Sequence, residues 1–365
     1  MPKNDYLKIL ENLLSFATKK GASDIHLSAN KKPYFRIDGK IVVLDKFEAL
    51  DLETVESLLQ IMLNQGYAHT QERFDKFLRE REIDFSYELS KGSRFRGNAY
   101  FQQGEISCSL RFIPKKILTI EELNLPSILH SFTKAYQGFV LITGPSNHGK
   151  STTLSALINE INHTRRGHII TIEDPIEHLF QDDLCIIDQR EVFSDTLSFA
   201  RALRSTFRED PDIIMVGEMR DPETIGTAIT AAETGHLVFA TLHTNSASQA
   251  IHRIVDSFDG HQQRQVRAQL SGSLLGIVSQ RLVPRIKGGL IPATEIIFNN
   301  PAIANLIREN KIHEIPVVIE TSLEEGMISL NKSLAQLVNE REITIETAIR
   351  YSLNPASLKF LLKSN

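Results

Sequence analysis

Cysteine is scarce in this chain: Cys108 and Cys185 are the two among 365 residues, far apart and without a Cys-x-x-Cys neighbour. A disulfide framework or a zinc knuckle needs more, so the pair reads as core thiols of a reducing compartment. An excess of positive charge is missing too. Lys plus Arg number 41 against 45 Asp plus Glu, a net charge of −4 with a pI near 6.3, which gives no electrostatic footprint for DNA or anionic lipid. Nucleic acid is therefore not an expected partner. No apolar run reaches the length of a membrane span, and MPKNDYLKILENLLSFATKKG at the start is an amphipathic helical pattern with charges throughout, not the apolar core of a signal peptide. Membrane association has to come through a partner. Internal repeats and low-complexity tracts are also absent.

What is present is an ordinary soluble composition, 41% hydrophobic and 24% charged, in a chain longer than one core usually serves. Two domains are expected, over residues 1–112 and 121–365, with a linker at 113–120 where proline and paired lysines stand together (IPKKILTI). In the first, PYFRIDGKIVVL reads as a hairpin turning at Asp38-Gly39, and a helical segment covers about 51–80. IDFSYEL, GSRFRGNAYFQQ and EISCSLRFI then read as three strands with turns at Lys91-Gly92 and Gln103-Gly104. That is an α+β domain with an antiparallel sheet. From about 121 onward FVLITG, HIITIED, DIIMVGE and LVFATLH are strands of the fully buried type separated by helical stretches, as in a parallel sheet covered on both faces. After about 260 the pattern turns helical, with QVRAQLSGSLLGIVSQRLV, PAIANLIREN, SLNKSLAQLVNE and IETAIRYSL as expected helices, so the fold class is an α/β core with a helical C-terminal cap.

Between the first of these strands and the helix after it, Gly144, Gly149, Lys150 and Ser151 fit G-x-x-x-x-G-K-[ST]. The glycines let backbone N–H groups turn inward around phosphates, the lysine reaches the terminal phosphates and the serine hydroxyl is offered to Mg²⁺. Gly144, Pro145, Ser146, Asn147, His148, Gly149, Lys150, Ser151 and Thr152 are thus the expected nucleotide-binding residues. The competing reading is a plain glycine turn with a surface lysine. An apolar strand before the pattern and an amphipathic run (TLSALINEI) after it count against that.

In an open parallel sheet ligands lie at the carboxyl ends of the strands. Glu173, Asp174 and Glu177 cluster past HIITI, Glu218 follows IIMVG, and His243 ends LVFATL. One carboxylate at the first of these ends suits a general base. Gly217 stands where many relatives of this fold keep a magnesium-orienting Asp. Glu218 is left to hold Mg²⁺ through water, with Glu173 as the base, although the two roles are interchangeable on this reasoning. His243 reads as a neutral sensor of the terminal phosphate, and His236 as a strand-start residue packed on a neighbouring loop.

The order of these motifs resembles the hexameric ATPases that drive type II secretion and type IV pili. GPSNHGKSTT is similar to their Walker A, TIEDPIEH to the acidic box, REDPDIIMVGEMRDPETI to Walker B and TAAETGHLVFATLHTNSA to the histidine box. GASDIHLSANKKPYFRIDGKI, REIDFSYELSKGSRFRGNAYFQ and the C-terminal AIANLIREN resemble the pilus-retraction branch over nearly the whole chain. The resemblance implies a RecA-like core behind a smaller PAS-like domain, ATP and Mg²⁺ as ligands, and a homohexamer on the cytoplasmic face of the membrane. It further implies Arg94, Arg96 and Arg111 as arginine fingers reaching a neighbouring subunit's nucleotide. Asn305, Leu306, Ile307, Arg308 and Glu309 would be the coupling segment. Expected partners are a membrane platform protein, pilin indirectly, and an accessory retraction ATPase. Two departures stand out. Ser146-Asn147-His148 replaces Thr-Gly-Ser inside Walker A, and removing the interior glycine strains any residue held at positive φ, Asn less than most. Ala304 replaces the arginine of AIRNLIRE.

Three rivals fit less well. Extension and type II secretion ATPases usually carry an extra N-terminal domain and a four-cysteine zinc element. An accessory retraction motor is closer. A nucleotide-dependent scaffold with negligible turnover is compatible with the altered Walker A interior.

Overall fold

The computed structural model describes residues 3–37, 39–43, 45–64, 70–89, 92–113 and 115–363. Asp38, Lys91 and Pro114, which entered the expected turns and linker, lie outside the described residues. The chain forms two compact units: Met1–Lys116 with Pro175–Leu179, and Ile117–Asp174 with Phe180–Asn365.

The first unit runs α1 (Lys3–Lys19), β1 (Ala22–Ser28), β2 (Tyr34–Ile37), β3 (Lys40–Val43), α2 (Leu52–Leu63), α3 (Thr70–Glu80), β4 (Glu82–Leu89), β5 (Ser93–Gln102) and β6 (Glu105–Ile113). Its sheet is antiparallel in the order β3-β2-β1-β6-β5-β4. Alternation decides the faces. Phe85, Phe95, Ala99, Cys108 and Leu110 point inward against Leu10, Leu14, Leu58 and Leu59 of the helices, and the polar residues between them form the opposite face. Asp51 starts α2 by accepting a hydrogen bond from Thr54 N–H at 2.8 Å. Where one helical segment was expected, two helices stand.

The second unit continues with α4 (His130–Thr133), β7 (Gly138–Thr143), α5 (Lys150–Thr164), β8 (Gly167–Glu173), β9 (Cys185–Glu191), α6 (Phe199–Thr206), β10 (Ile213–Val216), α7 (Pro222–Glu233) and β11 (Leu237–Leu242). There follow α8 (Ala247–Asp256), α9 (Gly260–Ser273), β12 (Leu274–Pro284), β13 (Leu290–Phe298), α10 (Pro301–Arg308), α11 (Ile315–Thr321), α12 (Leu330–Asn339), α13 (Ile345–Tyr351) and α14 (Pro355–Lys363). The sheet order is β13-β12-β7-β11-β10-β8-β9, parallel except for the β12–β13 hairpin. The four expected strands are its centre, and β7, β10 and β11 are buried at every position. Cores fill both faces: Leu141, Val216, Ala240 and Ile277 on one, Val140, Ile142, Phe239 and Val278 on the other.

The helix expected over QVRAQLSGSLLGIVSQRLV ends at Ser273, and Leu274–Pro284 is a strand. A run such as LLGIV, apolar on both faces, has no periodicity to tell a buried strand from a buried helix. Tertiary contact decides it. Gly276 lets the strand pass where a Cβ would lie 2.4 Å from the Ile297 carbonyl and 2.7 Å from the Phe132 ring. The helical cap therefore begins only after β13. Its helices α12–α14 bury Leu330, Leu334 and Leu358 with Val283 and Ile291 of the hairpin.

Candidate nucleotide site

β7 ends at Thr143 and the chain turns through residues 144–149 into α5. Gly144 has φ +149°, and a Cβ there would lie 2.3 Å from the Gln280 carbonyl oxygen, so only glycine fits. Gly149, at φ +80°, is the N-cap of α5 and offers no side-chain cap. A helix N-terminus that its N-cap residue does not cover with a side chain suits anion binding. Asn147 takes φ +62°. The left-handed residue that the sequence departure foreshadowed is real, and it falls on a residue type that tolerates it.

The end of β11 meets this loop through His243, and the end of β10 joins by way of that histidine. Lys150, 7% exposed, donates from Nζ to the Pro145 carbonyl at 2.8 Å, and its Nζ lies 3.4 Å from His243 Nδ1. Ser146 Oγ is 3.2 Å from the same nitrogen. An ammonium only donates, so Nδ1 accepts and Nε2–H is the group that faces Glu218 Oε1 at 3.2 Å. Glu218 Oε2 in turn accepts from Arg220 at 2.8 Å. Partial burial by itself would raise the Glu218 pKa, but the Arg220 and His243 contacts outweigh it and hold it below the ordinary carboxylate value. Ser146, Lys150, His243 and Glu218 are thus one connected set, drawn from β7–α5, β11 and β10.

Glu173 is in a different environment. It ends β8, is 5% exposed, and its Oε1 accepts from Thr171 Oγ1 at 2.8 Å and from Gln189 Nε2 at 3.1 Å. β8 and β10 are adjacent, so Glu173 and Glu218 end neighbouring strands. Gly217 explains itself here: a Cβ would lie 3.1 Å from the Ile172 carbonyl and 3.4 Å from Glu173 Cα, leaving little room for an aspartate. His236 packs its ring on Phe207 and sets Nδ1 2.9 Å from the Ala231 carbonyl, at the other end of β11 from His243.

Gln280, and the bond that His148 makes to the neighbouring strand, were not foreseen from sequence. The His148 imidazole Nδ1 accepts from Leu282 N–H of β12 at 2.9 Å. Burial, with the charges of Arg281 and Lys150, keeps its pKa below the ordinary histidine value, which preserves the acceptor. Gln280, 2% exposed, donates to the His148 carbonyl at 2.9 Å and accepts from Thr153 Oγ1 at 2.8 Å. Gln189 and Gln280 both sit on strands absent from the sequence reading. No local pattern marks them.

The expected fingers belong to the first unit. Cross-strand register puts Arg96 opposite Arg111, Arg111 opposite Asp24, and Asp24 opposite Arg36, one row across β5, β6, β1 and β2 on the outer face. Arg111 Nε donates to Asp24 Oδ1 at 2.9 Å, Arg94 donates to Ser86 Oγ at 3.0 Å, and Arg96 lies 3.3 Å from Glu177 Oε1. Glu177 belongs to the first unit and Glu173 to the second. In α10, capped by Asn300, Ile303, Leu306 and Ile307 are buried while Asn305, Arg308 and Glu309 are exposed.

The family described as "Type II/IV secretion system protein" matches residues 3–299. The type IV pilus retraction ATPase PilT of Pseudomonas aeruginosa is 45% identical over 339 residues, 93% of this chain and 96% of the relative. The type IV pilus ATPase PilU of the same organism is 39% identical over 354 residues, 97% of this chain and 91% of the relative. A crystal structure of the pilus retraction motor PilT with bound ADP superposes with a TM-score of 0.88 at 43% identity, covering 96% of this chain and 98% of that one. The loop between β7 and α5, the carboxylates and histidine at the neighbouring strand ends, and these likenesses agree: the chain belongs to the type II/IV secretion system protein family.

Proposed function

We propose that this protein is an ATP-hydrolysing motor that powers retraction of type IV pili. The connected set Ser146–Lys150–His243–Glu218 carries the reading, because it ties the phosphate loop to the ends of β10 and β11 where hydrolysis would be organised. Likeness to PilT at 45% identity, against 39% for PilU, favours retraction over the accessory role.

The residues fit the ligands. Loop N–H groups and Lys150 bind the phosphates, Lys150 exchanging its Pro145 carbonyl for phosphate oxygens. Ser151 and Glu218, the latter through water, would hold Mg²⁺, which when bound neutralises charge on the terminal phosphates. Glu173, oriented by Thr171 and Gln189, takes the proton of the attacking water. His243, already in contact with Lys150 and Glu218, senses the terminal phosphate. Arg94, Arg96 and Arg111 act on the nucleotide of a neighbouring subunit, so the working unit is a homohexameric ring. It sits on the cytoplasmic face of the membrane against a platform protein, through which pilin subunits leave the fibre, with an accessory retraction ATPase as a further partner. Among the described residues no helix is long and apolar enough to cross a membrane, consistent with docking through a partner.

Deleting the gene and counting surface pili tests the assignment. Abundant static fibres support retraction, whereas none would point to assembly. Steady-state phosphate release by the purified protein separates a motor from a scaffold.

A further inference from the structure

The phosphate loop is fastened to β12, the strand beside β7 in the sheet. β7 and β12 run parallel with Thr143 opposite Ser279, and β7 then leaves the sheet to form the loop. Beyond that point β12 loses its neighbour on one side while β13 continues on the other, with Gln280 opposite Thr294 and Leu282 opposite Pro292. The Gln280 carbonyl faces the loop, since a Cβ on Gly144 would meet it at 2.3 Å. Backbone groups two residues apart face the same side of a strand, so Leu282 N–H is left as an open ladder donor there. The His148 imidazole closes it at 2.9 Å. The Gln280 amide completes the fastening, binding the His148 carbonyl on one side and Thr153 of α5 on the other.

We propose that His148 and Gln280 are positioning residues for the nucleotide: they clamp the end of the phosphate loop to β12, so that nucleotide affinity depends on bonds made to the strand as well as on those made to the phosphates. The clamp has work to do in this chain. Asn147 stands at φ +62°, a conformation that asparagine adopts at a small cost, and the bonds made by His148 next to it keep the loop there. A side chain without an acceptor at the reach of the imidazole Nδ1 would leave Leu282 N–H open, so this brace is a property of the histidine. The inference rests on residues 144–152 being the phosphate loop.

The test uses the full-length protein and two measurements, phosphate release and binding of a fluorescent ADP. His148→Phe keeps the volume and removes the acceptor, and His148→Asn offers Oδ1 in place of Nδ1. The expected result for His148→Phe is a Kd and KM raised about 3- to 10-fold, the span of one hydrogen bond, with a smaller change in kcat. His148→Asn should recover most of that loss. Gln280→Met, which removes both amide bonds, should raise Kd at least as much, and thermal melts with gel filtration check that each variant folds and assembles. Unchanged Kd in both His148→Phe and Gln280→Met would overturn the clamp, as would a His148→Asn no better than His148→Phe. Lys150→Ala serves a different purpose: retained turnover there would remove the phosphate-loop assignment itself, a failure distinguishable from that of the clamp.

Discussion

In the phosphate loop of the second unit, polar groups from three strands engage one another, whereas the arginines of the first unit lean on partners that they would have to leave. Lys150, Ser146, His243 and Glu218 form a chain of contacts between 3.2 and 3.4 Å, and the loop is held besides by Gln280. Arg111 and Arg96 instead pair with Asp24 and Glu177. The Arg111 side chain is 61% exposed although Asp24 is only 14% exposed, and a pair open to solvent on the arginine side is worth on the order of 1 kcal/mol. An arginine finger contributes about 4–7 kcal/mol to the transition state. The trade favours leaving. Under the proposed roles, one region is assembled before nucleotide arrives and the other is held in reserve for it.

The sharpest way to break this contrast is Lys150→Ala, which should abolish turnover, since the ammonium expected on the terminal phosphates is removed and His243 and Pro145 lose their common partner. Phosphate release that persisted would mean that the loop is not the site. Next in size, Arg96→Ala or Arg111→Ala should slow turnover by about 10³-fold, the lower end for a finger, while leaving ADP affinity nearly intact. Mixing Lys150→Ala with Arg96→Ala protein should restore activity, because a mixed interface can pair an intact loop with an intact finger. Subunit exchange without recovery would place these arginines outside the reaction.

Within the assembled region, Glu173→Gln should lower kcat by about 10²-fold or more while ATP still binds. Glu218→Gln should instead shift the Mg²⁺ concentration needed for half-maximal rate. The opposite pattern would exchange the two roles. On the exposed side of α10, Arg308→Ala with Glu309→Ala should preserve the fold and most ATPase activity yet stop retraction in cells. Leu306→Ala, emptying a buried position, should cost about 2–5 kcal/mol of stability. Normal retraction by the surface double variant would remove the coupling role.

The smallest effect concerns the far end of α5. His130 Nδ1 lies 2.8 Å from Glu160 of that helix and its Nε2 2.7 Å from Glu121, and the Glu160 hydrogen bond, ahead of the opposing effect of burial, raises its pKa. A raised folded-state pKa means stabilisation that is complete below the ordinary histidine value and fades as pH climbs through the folded one. His130→Gln should therefore lower Tm at pH 6 more than at pH 9. His148, with its pKa lowered, has the opposite sign: its contribution holds above the ordinary value and is lost as pH falls. Melting curves of the two variants across pH should diverge in opposite directions, and parallel curves would refute both assignments.

Local order in the chain was enough for much of this. The spacing of Gly144, Gly149 and Lys150, the apolar runs of β7, β8, β10 and β11, the alternation in β4–β6, and the Asn300-Pro301 start of α10 each rest on neighbours a few residues apart, and each was legible. Tertiary structure decided the rest. β9 and β12 carry no periodicity that separates them from helix or loop, so Gln189 and Gln280 could not be placed, although one orients Glu173 and the other holds the loop. His148 meets Leu282 across 134 positions of sequence and Thr153 meets Gln280 across 127. Such partners are chosen by sheet order, which depends on which buried strands pack side by side, and no window of sequence contains that choice.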